Sequence, residues 1–97
     1  MFDKNRRIVD HKLLEAVRLM PCAVCGATPS DPHHMKTVKS GGGDLPENLI
    51  PLCRIHHMAC HASGMVAFVK KYPHLYEILI EKGWYLDHNL KKWISQH

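Results

Sequence analysis

Two short-spaced pairs of soft ligands constrain this chain more than any other feature. Cys22 and Cys25 stand in the turn-forming run Pro21-Cys22-Ala23-Val24-Cys25-Gly26, and Cys53 and His56 repeat the two-residue gap after 27 intervening residues. Two such knuckles on separated segments can aim four ligands, with free backbone amides behind them, at one tetrahedral zinc. A chain of 97 residues benefits from such a site. A domain of this size buries only about 60–70% of the surface its unfolded chain exposes, and a structural metal adds the stability that a thin core lacks. The competing readings are a pair of buried reduced thiols and a redox C-x2-C, but no βαβ pattern surrounds the cysteines as the latter would require. Cys60, four residues after His56 and on the same helical face, is the alternative fourth ligand. His56 is preferred because it completes the knuckle spacing.

Charge and composition narrow the class. Thirteen Lys and Arg against nine Asp and Glu give +4 with histidines neutral, a balance that favours polyanions and equally serves solubility. Hydrophobic residues at 45% and charged residues at 23% are those of a folded domain rather than a disordered one. The length excludes a large α/β enzyme with a bound dinucleotide. The first residues, Met1 to Arg7, are charged rather than apolar, and no run approaches a membrane span. A cytoplasmic protein with no membrane partner is expected, where thiols stay reduced.

Apolar residues at Ile8, Val9, Leu13, Leu14, Val17 and Met20 predict a helix over 8–20, stopped by Pro21 and basic on its other side at Arg6, Arg7, Lys12 and Arg18. A short strand over His33 to Val38 and a returning one over Leu49 to Cys53 would flank a long hairpin. Its tip, Ser40 to Asp44, reads as the most flexible stretch and as neither helix nor strand. Helical spacing resumes from His56 to about Ser63, with Gly64 closing it. Two short helices follow, around Val66–Tyr72 and Leu75–Ile80. A last one is expected to start at Asp87 as N-cap and to carry Leu90, Trp93 and Ile94. No repeat or linker divides the chain, so one domain over 1–97 is expected.

A second constellation interleaves with the first. His33 and His34, Asn48, His57 and His61 follow the pattern H-H-x13-N-x8-H-x3-H. His57 and His61 project from one helical face, close enough to share a metal. A third imidazole from the hairpin, His33, would complete a half-open site of the kind that catalytic metals occupy. His34 diverges from its neighbour along a strand and is left to act as a general base toward water. Asn48 either holds the hairpin or orients the His34 ring. Lys36, Lys39 and Arg54 lie near the motif and suit phosphate contacts or plain solvated charge. His11, His74, His88 and His97 are read as ordinary residues.

This order of His33-His34, Asn48, His57 and His61 resembles the ββα-metal (His-Me finger) motif of HNH endonucleases in its three-histidine form, and the Cys22-x2-Cys25 and Cys53-x2-His56 knuckles resemble the structural zinc sites that brace it in many members. The resemblance covers about 21–64, with helical flanks at 8–20 and 65–95, and small phage-like nucleases have a similar look. It implies a small α+β fold with a zinc knuckle between N-terminal and C-terminal helices. Metal ligation by His33, His57 and His61, general-base duty for His34 and a hairpin role for Asn48 follow from the same source. The implied activity is metal-dependent endonuclease cleavage of nucleic acid, DNA foremost, as nicking or, through a dimer or two successive nicks, as a double-strand break. His56 departs from the family's frequent second C-x2-C. Histidine as first hairpin ligand shifts metal preference, so that Mn2+, Ni2+ or Zn2+ competes with Mg2+ at the active site. The alternative from a different class is a non-catalytic zinc-stabilised module that binds DNA or protein.

Overall fold

The computed structural model describes residues 7–95. Arg6 and His97 lie outside the described residues. The chain divides into two compact units, Met1–Cys53 and Arg54–His97. No helix among the described residues is long and apolar enough to cross a membrane.

The first unit holds helix α1 (His11–Arg18) and strands β1 (Asp31–His34) and β2 (Leu49–Leu52). Helix α1 is shorter than the expected 8–20 because Asp10 caps it. The Asp10 backbone is extended and its side chain accepts from the Leu13 amide at 3.0 Å, a cap that contributes about 1 kcal/mol. Ile8 and Val9 therefore precede the helix and stay exposed, while Val17 is its one buried residue. Strands β1 and β2 pair antiparallel, with His33 opposite Ile50 and His34 opposite Leu49. Burial of Leu49, Ile50 and Leu52 anchors this hairpin, at roughly 1.5–3 kcal/mol for each side chain. Strand β1 ends at His34 rather than reaching Val38, and Ser40 closes a 3-10 turn over Val38–Ser40. Gly41 takes a left-handed φ of 87° to cap that turn, and Gly42 is buried.

The second unit begins with α2 (Arg54–Ser63), followed by α3 (Met65–Lys71), α4 (Leu75–Glu81) and an antiparallel hairpin of β3 (Trp84–Asp87) with β4 (Lys92–Ser95). Gly64, with φ of 84°, ends α2 as its sequence position suggests. Cys60, Phe68, Val69, Leu75, Leu79, Trp84 and Trp93 form the buried set, with Tyr76 edge-on to Trp93 at 5.4 Å. The expected final helix is corrected to this hairpin. Asp87 does accept from the amides two and three residues on, Asn89 and Leu90, both at 2.9 Å. Those bonds build a turn that Lys91 completes at φ of 54°. The same short side chain begins a turn or a helix by the same contact, and the alternation of buried Trp84 with exposed Tyr85 decides for a strand.

Candidate metal and catalytic site

The Cys22–Cys25 turn is closed by two backbone bonds, Gly26 N–H to Cys22 O at 2.8 Å and Cys22 N–H to Ala27 O at 2.9 Å. Gly26 supplies the positive φ of 78° that the closure needs. The Ala23 amide donates to Pro51 O at 2.8 Å. That bond ties the turn to the end of β2, which delivers Cys53. Cys22, Cys25, Cys53 and His56 offer ligand atoms that all lie within 4.8 Å of one another, and this cluster can hold a metal ion. Two thiolates each about 2.3 Å from a tetrahedral zinc stand roughly 3.8 Å apart. The Cys25 and Cys53 Sγ atoms are 3.8 Å apart. The His56 ring is set edge-on against Tyr72 at 5.4 Å.

Electrostatics favour a thiolate at the buried member of the set. Burial alone would raise the Cys22 pKa, but amide donors from Cys53, Cys25 and Val24, with the Cys25 thiol, outweigh it and bring it from 9.0 down to about 6. Amides turned toward sulfur are what a metal knuckle uses to hold negative charge. For exposed Cys25, the Ala27 amide lowers the pKa, but burial and the neighbouring Cys22 and Cys53 sulfurs leave it raised. Cys60 behaves differently. Its thiol is buried against Met65 Sδ at 3.5 Å, burial pushes its pKa to about 11, and it is absent from the ligand cluster.

His33, His57 and His61 form a second group whose ligand atoms lie within 4.8 Å. The Nε2 atoms of His57 and His61 are 3.0 Å apart with ring centroids at 4.6 Å. Two nitrogens bound about 2.0–2.1 Å from a tetrahedral ion would stand roughly 3.3 Å apart, so the i and i+4 spacing on α2 fits a shared metal ion. His33 is buried and His34 half-buried on successive positions of β1. His34 is not in the ligand group. Its Nε2 meets Asp44 Oδ1 at 2.8 Å.

Asn48 closes the hairpin loop. Its Oδ1 accepts from the Lys36 amide at 2.7 Å, and its Nδ2 donates to Lys36 O at 3.1 Å and Gly43 O at 2.9 Å. Of the two tasks open to it in the sequence, these bonds serve the hairpin. The residue that meets His34 is Asp44, which spacing arguments overlooked. Its side chain is fully buried, Oδ1 accepts also from Arg7 Nη1 at 3.2 Å, and Oδ2 accepts from the Asp10 amide at 2.9 Å. Burial raises the Asp44 pKa. The bonds from His34, the Asp10 amide and Arg7, with the Arg7 charge, outweigh it and hold the carboxyl at about 2 against an ordinary 3.8. Only the Asp that ends the glycine run hinted at it, and nothing in the pattern named its partner. Lys36, Lys39 and Arg54 are exposed, as are His11, His74 and His88.

No solved structure matches the chain. It is 40% identical over 79 residues to the uncharacterized protein YdfU of Escherichia coli strain K12, a match that takes in 78% of this chain and 22% of that protein. The chain thus spans less than a quarter of the length of this curated relative. A family model described as protein of unknown function (DUF968) matches residues 2–90, nearly the whole sequence, and the chain belongs to that family.

Proposed function

We propose that the chain is a metal-dependent nuclease of the ββα-metal type, which hydrolyses nucleic-acid phosphodiesters, DNA foremost, and is braced by a structural zinc at Cys22, Cys25, Cys53 and His56. The observation that carries the reading is the grouping of His33, His57 and His61 with a fourth histidine, His34, kept out of the ligand set and bonded to a carboxylate instead. A purely structural role needs four protein ligands at each ion, whereas three imidazoles leave positions for water and a substrate oxygen. When bound there, a divalent ion would stabilise charge on the phosphate and polarise its oxygens. His34 accepts a proton from the attacking water. Asn48 keeps the loop that follows β1 in register, and the net charge of +4 favours a polyanionic substrate. All-imidazole ligation favours Mn2+, Ni2+ or Zn2+ over Mg2+.

Supercoiled plasmid with a panel of these metals tests the proposal. Nicking is expected from the wild type, with losses on the order of 10²-fold or more for His34→Ala and abolition for His57→Ala. A folded, zinc-loaded protein that binds DNA without nicking it under any metal would replace this reading with the non-catalytic binding module.

A further inference from the structure

The Arg7–Asp44–His34 chain lies outside the ligand sets. Both Asp44 oxygens already receive donors, Oδ1 from the Arg7 guanidinium and Oδ2 from the Asp10 amide. Arginine is charged at all relevant pH, and an N–H cannot accept. A carboxyl group so placed is an acceptor only, which agrees with its depressed pKa. At 2.8 Å the His34 Nε2 must then be the donor.

Resting on the nuclease reading for its catalytic consequence, we infer that Asp44, held by Arg7, is a positioning residue that fixes His34 in the Nε2–H tautomer and so makes Nδ1 the atom that takes the proton from water. The water O–H bond breaks and its proton moves to Nδ1. The water oxygen forms the new bond to phosphorus, the bond from phosphorus to the leaving oxygen breaks, and that oxygen takes a proton from solvent. The imidazolium produced faces the Asp44 carboxylate, which offsets its charge in the way a buried carboxylate serves a catalytic histidine. Arg7 also donates to Gly42 O at 3.3 Å, so one side chain ties the segment before α1 to both the loop and the carboxylate. With Oδ1 shared between Arg7 and His34, the carboxylate is prevented from swinging away from the ring.

The test needs no assumption about activity. Long-range nitrogen-15 correlation spectra of the zinc-loaded full chain report which nitrogen of neutral His34 carries hydrogen. A single Nε2–H form is expected in the wild type, and an Nδ1–H form or an even mixture would overturn the inference. In Asp44→Asn the amide must turn its NH2 toward a donor, so the tautomer bias should weaken. In the nicking assay kcat should fall by about 10²-fold or more while KM stays within about threefold. A folded Asp44→Asn variant that nicks at the wild-type rate would overturn the positioning role and leave the nuclease reading intact. A wild type with the Nε2–H form and no nuclease activity would overturn that reading and, with it, the catalytic half of this inference, while the tautomer assignment would stand.

Discussion

Replacing Gly42 with alanine puts the loop geometry to a quantitative test. A Cβ at Gly42 would overlap the Lys36 carbonyl oxygen and come within 2.9 Å of Thr37 O, all of them backbone atoms that cannot rotate aside. The loop has little slack to relieve this. The Gly42 amide donates to Thr37 O at 2.9 Å, Lys36 is held by two bonds to Asn48, and Asn48 holds Gly43 O as well. Separating the strands of the loop enough to admit a methyl group breaks at least two of these bonds. Each is worth about 0.5–1.5 kcal/mol, and a buried group left unmatched costs about 1–3. A loss on the order of 3 kcal/mol or more is expected, a large part of the 5–15 kcal/mol typical of a whole domain. Gly41→Ala is the control. Gly41 has a φ of 87° but nothing within 4 Å of its Cβ position, so only backbone strain applies, at about 1 kcal/mol. Urea unfolding of both variants with zinc in excess gives the comparison. Equal destabilisation by the two substitutions would refute the packing of this loop against Lys36.

Three further expectations follow from the same contacts. Asp44 has a folded pKa of about 2 against an ordinary 3.8, so its stabilisation is complete above that ordinary value and is lost as pH falls from there through 2. The full contribution is about 2 kcal/mol. The urea stability gap between wild type and Asp44→Asn should narrow as pH falls from about 4 toward 2, and a constant gap across that range would contradict the assignment. Cys60→Ser should retain one equivalent of zinc by elemental analysis while Cys22→Ser loses it, because the buried, protonated Cys60 thiol stands outside the cluster. Asp87→Ala should cost about 1–2 kcal/mol in thermal unfolding through its two turn bonds, and no measurable change would count against that turn.

Legibility in the sequence varied with the range of the signal. The two ligand groups could be read because each is made of local pairs: Cys22 with Cys25, Cys53 with His56, and His57 with His61 on one helical face. Gly64 marked the end of α2 because its positive φ of 84° suits glycine whatever the tertiary context. Asp87 misled, since an Asx side chain begins a turn and a helix by the same bond, and the choice was made by burial of Trp84 and Trp93. The glycine run carries a second meaning that spacing does not show. Three glycines signal freedom in an isolated chain, but at Gly42 the absence of a side chain is what permits close packing against Lys36. Asp44 was illegible because its partners, Arg7, Asp10 and His34, are distant in sequence and share no spacing rule.

The roles of Asn48 and Asp44 follow from what each side chain can offer. An amide donates and accepts, and Asn48 meets the Lys36 N–H with its oxygen while its nitrogen serves two carbonyls. A carboxylate only accepts, and Asp44 faces two fixed donors, with the His34 ring as the third partner. Exchanging the chemistries would fail at both positions. Aspartate at 48 would set an anionic oxygen against the Lys36 and Gly43 carbonyls, and asparagine at 44 would turn an NH2 toward a guanidinium, an amide or the ring. The asparagine between the histidines of the motif is therefore matched to the hairpin backbone. The His34 ring answers to Asp44, which the motif does not contain, and whose reach depends on the intervening loop being packed as Gly42 allows. On this account a lengthened loop that preserved all the motif residues would keep both ligand groups and still lose control of the His34 tautomer.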